Sequence, residues 1–304
     1  MNQWIRISTL ALLLASVGIA QAATPVVTSK EYKVLLKPEL FTSQPKVASN
    51  SFLADLKASL VSAGLDRTIT SSFSKDKTRT VRFYDSPGTC RLRDLSYSFR
   101  ERVTSGDRES TLKFRSTTSA TAANTTITGS SSSAETKFEL DVTAANNIYS
   151  KSTKQPLSNS KNLNKLKDVS DLYPSASSLN LPAQDAFQIV SNLTVNEITY
   201  AGPASDLGQQ GAEFTVSLWY VNANDATPAV AEASFKVEEK DGDFTNKVTE
   251  RSTLMFNTMK QMSSWVAANA VTKTNWVYQY QPTFCTTAGT GPDSVTSGST
   301  AMPF

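Results

Sequence analysis

The sequence predicts an α+β fold: a curved or closed antiparallel β-barrel of about eight strands with flanking helices. Three observations lead there. Short stretches of alternating polar and apolar residues recur along the chain, two longer stretches have helical spacing, and Gly-, Pro- or Asp-bearing turns separate them.

The clearest unit is a hairpin. Residues 97–103 (YSFRERV) and 110–115 (STLKFR) alternate with period two around Ser105-Gly106-Asp107-Arg108. A turn centred on Gly106-Asp107 sets Arg100 opposite Lys113 and Phe99 opposite Phe114. One face is then aromatic and suits a core. The other gathers Ser98, Arg100, Arg102, Thr111, Lys113 and Arg115. Like charges facing each other on paired strands destabilise a sheet. That face therefore expects carboxylates from neighbouring strands, a bound anion, or water; the hairpin alone leaves the three open.

The other elements follow in order. Residues 1–22 read as a signal peptide, with Arg6, an apolar run over 7–19 and the small-x-small site Ala20-Gln21-Ala22. The run is too short for a membrane span, and no cysteine follows the cleavage point to carry a lipid. The chain is thus expected to be exported, to the periplasm or beyond, by a bacterial-type route. A strand is expected over 28–37, ended by Pro38. A helix is expected over 51–63, with Leu53, Leu56 and Leu60 as its buried stripe, Asn50 as N-cap and Gly64 as stop. Residues 78–85 form a strand with Val81 and Phe83 on one face, Arg82 and Tyr84 on the other. Residues 116–134, rich in Ser, Thr, Ala and Asn, have too little apolar surface to order and read as a long mobile loop. A strand at 135–142 puts Glu135, Lys137, Glu139 and Asp141 on one face. Residues 150–178 read as a polar, locally basic excursion and 183–193 as a short helix. Strands are expected at 197–200, 213–222 and 231–240, and a long methionine-striped helix over 247–271. One domain over 25–273, with low-complexity insertions near 116–134 and 150–178, then leaves 286–304 as a flexible tail.

Composition narrows the chemistry. Thirty Lys and Arg against 27 Asp and Glu give +3, or +2 without Arg6. That near balance argues against a nucleic-acid binder, which carries a strongly basic domain. The 304 residues contain no histidine, which removes Ser-His-Asp and Cys-His catalysis and histidine metal ligation. Cys90 and Cys285 are the only cysteines. In an oxidising compartment one intramolecular disulfide is the natural reading, unpaired or intermolecular thiols the alternative.

The order of these pieces resembles the CYTH superfamily, the triphosphate tunnel metalloenzymes, over roughly 29–240. The family's opening ExExK strand is similar to Ser29-Lys30-Glu31-Tyr32-Lys33, with Ser29 where the first Glu stands. Its YYDT segment resembles Phe83-Tyr84-Asp85-Ser86, its RxR strand Arg100-Glu101-Arg102, and its TxK strand Thr111-Leu112-Lys113. Its acidic strands resemble Glu139-Leu140-Asp141 and, more loosely, Lys236-Val237-Glu238-Glu239. The resemblance implies an eight-stranded antiparallel barrel around a phosphate-rich anion, triphosphate or polyphosphate. Lys33, Arg82, Arg100, Arg102, Lys113 and Arg115 would grip the phosphates, arginines bidentately and lysines as point charges. Glu31, Glu139, Asp141 and Glu238 would hold Mg²⁺ or Mn²⁺, hard cations that take oxygen ligands. Two functions follow: a metal-dependent triphosphatase or polyphosphatase, or a degenerate barrel acting as a non-enzymatic binding or cell-envelope interaction protein. Ser29 weakens the metal set, because a hydroxyl is a neutral substitute for a carboxylate.

Overall fold

Alternation along the chain becomes strand wherever both faces find a use. In the computed structural model, which describes residues 25–268 and 271–286, the strands in chain order are β1 (Ser29–Leu36), β2 (Ile69–Thr70), β3 (Ser74–Asp85), β4 (Tyr97–Thr104), β5 (Asp107–Ser116), β6 (Glu135–Thr143), β7 (Asn147–Pro156), β8 (Gln188–Ile189), β9 (Val195–Asp206), β10 (Gly211–Tyr220) and β11 (Val230–Glu238). The expected signal peptide and all but the first residue of the expected tail lie outside the described residues.

Nine strands close a barrel in the order β9-β10-β11-β1-β6-β7-β5-β4-β3, and β3 pairs back onto β9. The short β2 and β8 attach to β9 and β3. The barrel is mixed, not purely antiparallel as expected: β1 runs parallel to β6 and every other barrel pairing is antiparallel. The additional strand is β7, which the sequence reading left inside a polar excursion. Ser150, Ser152 and Lys154 alternate there with Tyr149, Lys151 and Thr153, which carries little hydrophobic contrast.

The barrel is apolar outside and charged inside. Tyr32, Val34 and Leu36 of β1 point outward with Phe214, Val216 and Phe235 into a core covered by helices α1 (Pro45–Ser62) and α5 (Asn246–Gln261). On the opposite side Phe99 and Leu112 of the hairpin, with Tyr84, pack on Leu166, Tyr173 and Phe187 from the segment between β7 and β9. That segment, with helix α4 (Lys167–Leu172), is packed where a polar excursion was expected, and residues 116–134, with helix α3 (Ser119–Asn124), are packed contrary to the mobile loop expected. Ala122 and Ile127 are buried, and the Thr153 hydroxyl donates to the Ile127 carbonyl at 2.6 Å. A few well-placed apolar residues suffice once a strand face is there to receive them.

Three boundaries also differ. Helix α1 begins at Pro45, so Asn50 is not its cap; its amide instead accepts from Phe73 N at 2.8 Å and donates to Phe73 O at 3.1 Å, tying the helix to the residue that precedes β3. Gly64 follows the helix at φ +78, as a stop signal should. Residues 183–193 form β8 and a 3-10 turn, not a helix. The long terminal helix divides: α5 ends at Gln261, and a separate helix α6 (Lys273–Tyr280) follows.

The hairpin keeps the expected faces in a shifted register. Ser105 and Gly106, both at positive φ, make a two-residue turn. Arg100 therefore lies opposite Thr111, Arg102 opposite Glu109, and Tyr97 opposite Phe114. A shift of two residues preserves which side chains share a face, and it relieves the opposed cations.

Candidate functional site: a charged tunnel

Alternate residues of eight of the nine strands project into a cavity of about 890 Å³. Eleven Lys and Arg and seven Asp and Glu line it. Of the expected site residues, Glu31, Lys33, Arg100, Arg102, Lys113, Arg115, Glu139 and Asp141 all reach this space. Two do not. Arg82 sits on the outer face of β3, where it meets Glu101 Oε2 at 3.5 Å and donates to Thr194 at 3.1 Å. Glu238 lies at the end of β11 with its side chain 66% exposed, paired to Lys236 at 2.6 Å.

The lysines and carboxylates satisfy each other. Lys33 Nζ lies 2.7 Å from Asp141 and 2.8 Å from Glu31. Lys113 lies 3.2 Å from Asp141 and 3.7 Å from Glu139, and the Ser29 hydroxyl donates to Glu139 at 3.2 Å. Lys154 sits between Glu109 and Glu135 at 3.5 and 3.3 Å. Burial works against the Asp141 charge, yet Lys113 and Lys33 outweigh it and hold the carboxyl well below its ordinary range. Burial pulls the Lys33 ammonium down, but Asp141, Glu31 and Glu232 outweigh it and hold Lys33 well above its ordinary value.

A second cluster lies deeper and was not anticipated. Glu197 of β9 is 1% exposed; it pairs with Arg79 and accepts from Ser217 Oγ at 2.9 Å and Trp219 Nε1 at 2.8 Å. Lys273, the first residue of α6, reaches in to Glu232 at 2.8 Å and stands 3.9 Å from Glu197. Glu197 is buried, which disfavours its charge, but Lys273, Arg102 and Arg79 prevail and keep it ionised far below the usual range. The alternation Glu232-Ala233-Ser234-Phe235-Lys236 held the signal for Glu232, facing Leu35 and next to Lys33 across β1. Lys273 had none, since it follows a break in helical pattern.

The arginines are different. Arg102 makes no hydrogen bond or ion pair among the described residues, and its Nε is buried without a partner. Arg100 also has an orphaned Nε and reaches only Thr111 Oγ1, at 3.5 Å. Arg115 donates to the hydroxyls of Ser98 at 2.8 Å and Thr274 at 3.3 Å. Burial, with the like charge of Arg102 second, pulls the Arg100 guanidinium below its ordinary value. Three tunnel guanidiniums thus lack a carboxylate among the described residues.

The expected divalent metal finds no matching donor set. Among the described residues no three acidic side chains are grouped to hold one, and Glu31, Glu139 and Asp141 are engaged by Lys33 and Lys113.

One end of the tunnel is crossed by the C-terminal segment. Ala267 N donates to Leu35 O at 2.9 Å, and Val266, Ala267, Lys273 and Thr274 line the cavity there. Helix α6 packs Val277 and Tyr278 against Val81, Phe83 and Trp219. The Tyr278 hydroxyl donates to buried Asp85 at 2.9 Å, and Asp85 also accepts from Leu92 N and Arg93 N at the start of the short helix α2 (Arg91–Asp94). Cys90 and Cys285 form the disulfide, with Cα atoms 5.1 Å apart, so the segment is covalently fixed to the β3–β4 connection.

The chain thus forms the closed barrel expected from its sequence, apolar outside under its helices and charged within. No protein-family model matches the chain and no curated protein matches it. Among solved structures it is similar to HpAC1 of Hippeastrum, an adenylyl cyclase candidate with a dominant triphosphatase activity, at 9% identity and a TM-score of 0.45, covering 82% of this chain and 95% of that one. It is similar to the adenylate cyclase candidate bh2851 of Bacillus halodurans at 12% identity and 0.39, covering 83% and 96%. PH1819 of Pyrococcus horikoshii matches at 9% and 0.32, covering 76% and 89%. At such identities no residue's role passes from those proteins to this chain.

Proposed function

We propose that the tunnel binds a phosphate-rich anion of the triphosphate or polyphosphate class, and that the protein acts as a binder. The observation that carries this reading is the set of Arg100, Arg102 and Arg115, guanidiniums lining the tunnel without carboxylate partners among the described residues. A cation taken from water without a partner is costly, and guanidinium forks match phosphate oxygens in charge and geometry. The carboxylates that hydrolysis would draw on are occupied by lysines, which favours binding over turnover.

The disulfide supports residence in an oxidising compartment, the periplasm or outside the cell. Among the described residues no helix is long and apolar enough to cross a membrane.

Thermal melting with sodium tripolyphosphate, set against sodium sulfate at equal ionic strength, tests the reading. A tripolyphosphate-specific rise in melting temperature, with no phosphate released in the same samples, is expected. No rise rejects binding; steady phosphate release returns the protein to the hydrolases.

A further inference from the structure

We infer that this tunnel takes its phosphate-rich anion without a divalent metal, because resident lysines already occupy the carboxylates a metal would need. The inference rests on the anion-binding reading above and assigns a purpose to Lys33, Lys113 and Lys273.

The ion pairs divide the tunnel's charges by residue type. Every lining carboxylate except Glu213 has a lysine within 3.7 Å. Arg100, Arg102 and Arg115 have none of the carboxylates. Mg²⁺ requires near-octahedral oxygen ligands at close range. To enter, it would have to displace an ammonium from Asp141 or Glu232 and leave that ammonium unpartnered in the barrel, the costly half of breaking a buried pair.

Lys273 shows most clearly that the arrangement is built in. It arrives from the helix that packs across one end of the tunnel, lies 5.2 Å from the Trp219 ring centroid, and donates to Ser217 Oγ at 3.1 Å. Its ammonium sits against Glu232 and near Glu197, the two buried carboxylates that would otherwise attract a cation. The helix that carries it is fixed by the Tyr278–Asp85 hydrogen bond and the Cys90–Cys285 bridge. Lys273 is thus a tethered cation that cannot diffuse away. With the carboxylates neutralised in this way, the arginines remain for the ligand's charge.

Free Mg²⁺ then acts as a competitor, since it complexes triphosphate in solution and lowers its charge. The test is calorimetric titration of the disulfide-intact protein with sodium tripolyphosphate, once in EDTA and once in excess MgCl₂. Binding in EDTA that equals or exceeds binding in Mg²⁺ is expected. Binding tighter in Mg²⁺ by about tenfold or more, ~1.4 kcal/mol, overturns the inference. Absence of binding in both media rejects the anion-binding reading itself, and this inference with it. A second measurement isolates Lys273. In Lys273→Ala the freed Glu232, with Glu197 nearby, should make the melting temperature rise with Mg²⁺ alone, while the wild type does not respond. A variant that is less stable but equally indifferent to Mg²⁺ removes Lys273 from the scheme; if the variant does not fold, the wild-type titrations decide.

Discussion

Arg102 is a half-buried guanidinium without a partner among the described residues, so its removal should separate binding from stability. Arg102→Met is expected to weaken tripolyphosphate binding by about 1.5–3 kcal/mol, the range of a hydrogen bond to a charged group. The same change should move the melting temperature little, because Arg102 makes no direct ion pair among the described residues and Glu197 keeps Arg79 and Lys273 beside it. Titration and melting of one preparation check both. Glu197→Gln should do the opposite, since it strips the counter-charge from Arg79 and Lys273. A loss of about 3–5 kcal/mol in chemical denaturation is expected. The hairpin cations were legible because alternation assigns residues to faces. It does not say which face is interior, and here lay the error at Arg82: Val81 and Phe83 share the tunnel face of β3 near its apolar end, and Arg82 goes outside. Glu238 failed for another reason, having the right face but lying at the strand's end.

Among the elements, α6 has the largest consequence for its length. It carries Lys273 inward, rests Tyr278 on Asp85, and is tied down by a bridge between residues 195 apart in sequence. Replacing both cysteines with serine should lower stability by about 2–5 kcal/mol, as expected for a bond closing so long a loop. Limited proteolysis should then cut within 262–286 before the barrel strands, whereas the oxidised protein should resist there. The cysteine pairing was legible from their count and the expected export. The break between α5 and α6 was not, because methionine spacing carries past Gln261 without a glycine or proline to interrupt it. Sparse anchors explain the other misread elements: Ala122 and Ile127 are too few among serines and threonines to make a pattern, yet both are buried.

For the molecule as a whole, an interior of ion pairs ties stability to acid. Glu197 and Asp141 have folded values depressed below their ordinary 4.5 and 3.8. Their contribution is therefore complete above those ordinary values and is lost as pH falls toward the folded ones. Denaturation midpoints should hold steady through neutral pH and decline below about pH 4.5, and Glu197→Gln should flatten that decline. A decline already complete at pH 6 would place the acid sensitivity elsewhere.

The odd number of strands in the ring has a consequence of its own. Up-and-down alternation cannot return to its start after nine steps, so one seam must join two strands of the same direction; here it is β1 against β6. The other neighbour of β1 is β11, about 200 residues away along the chain. As synthesis proceeds, the first strand emerges with neither flank yet made, and its hydrogen-bonding edges stay vacant until the middle and then the last of the ring arrive. Such distant pairings are slow to form, and the waiting edge is one that a holding chaperone would be suited to cover.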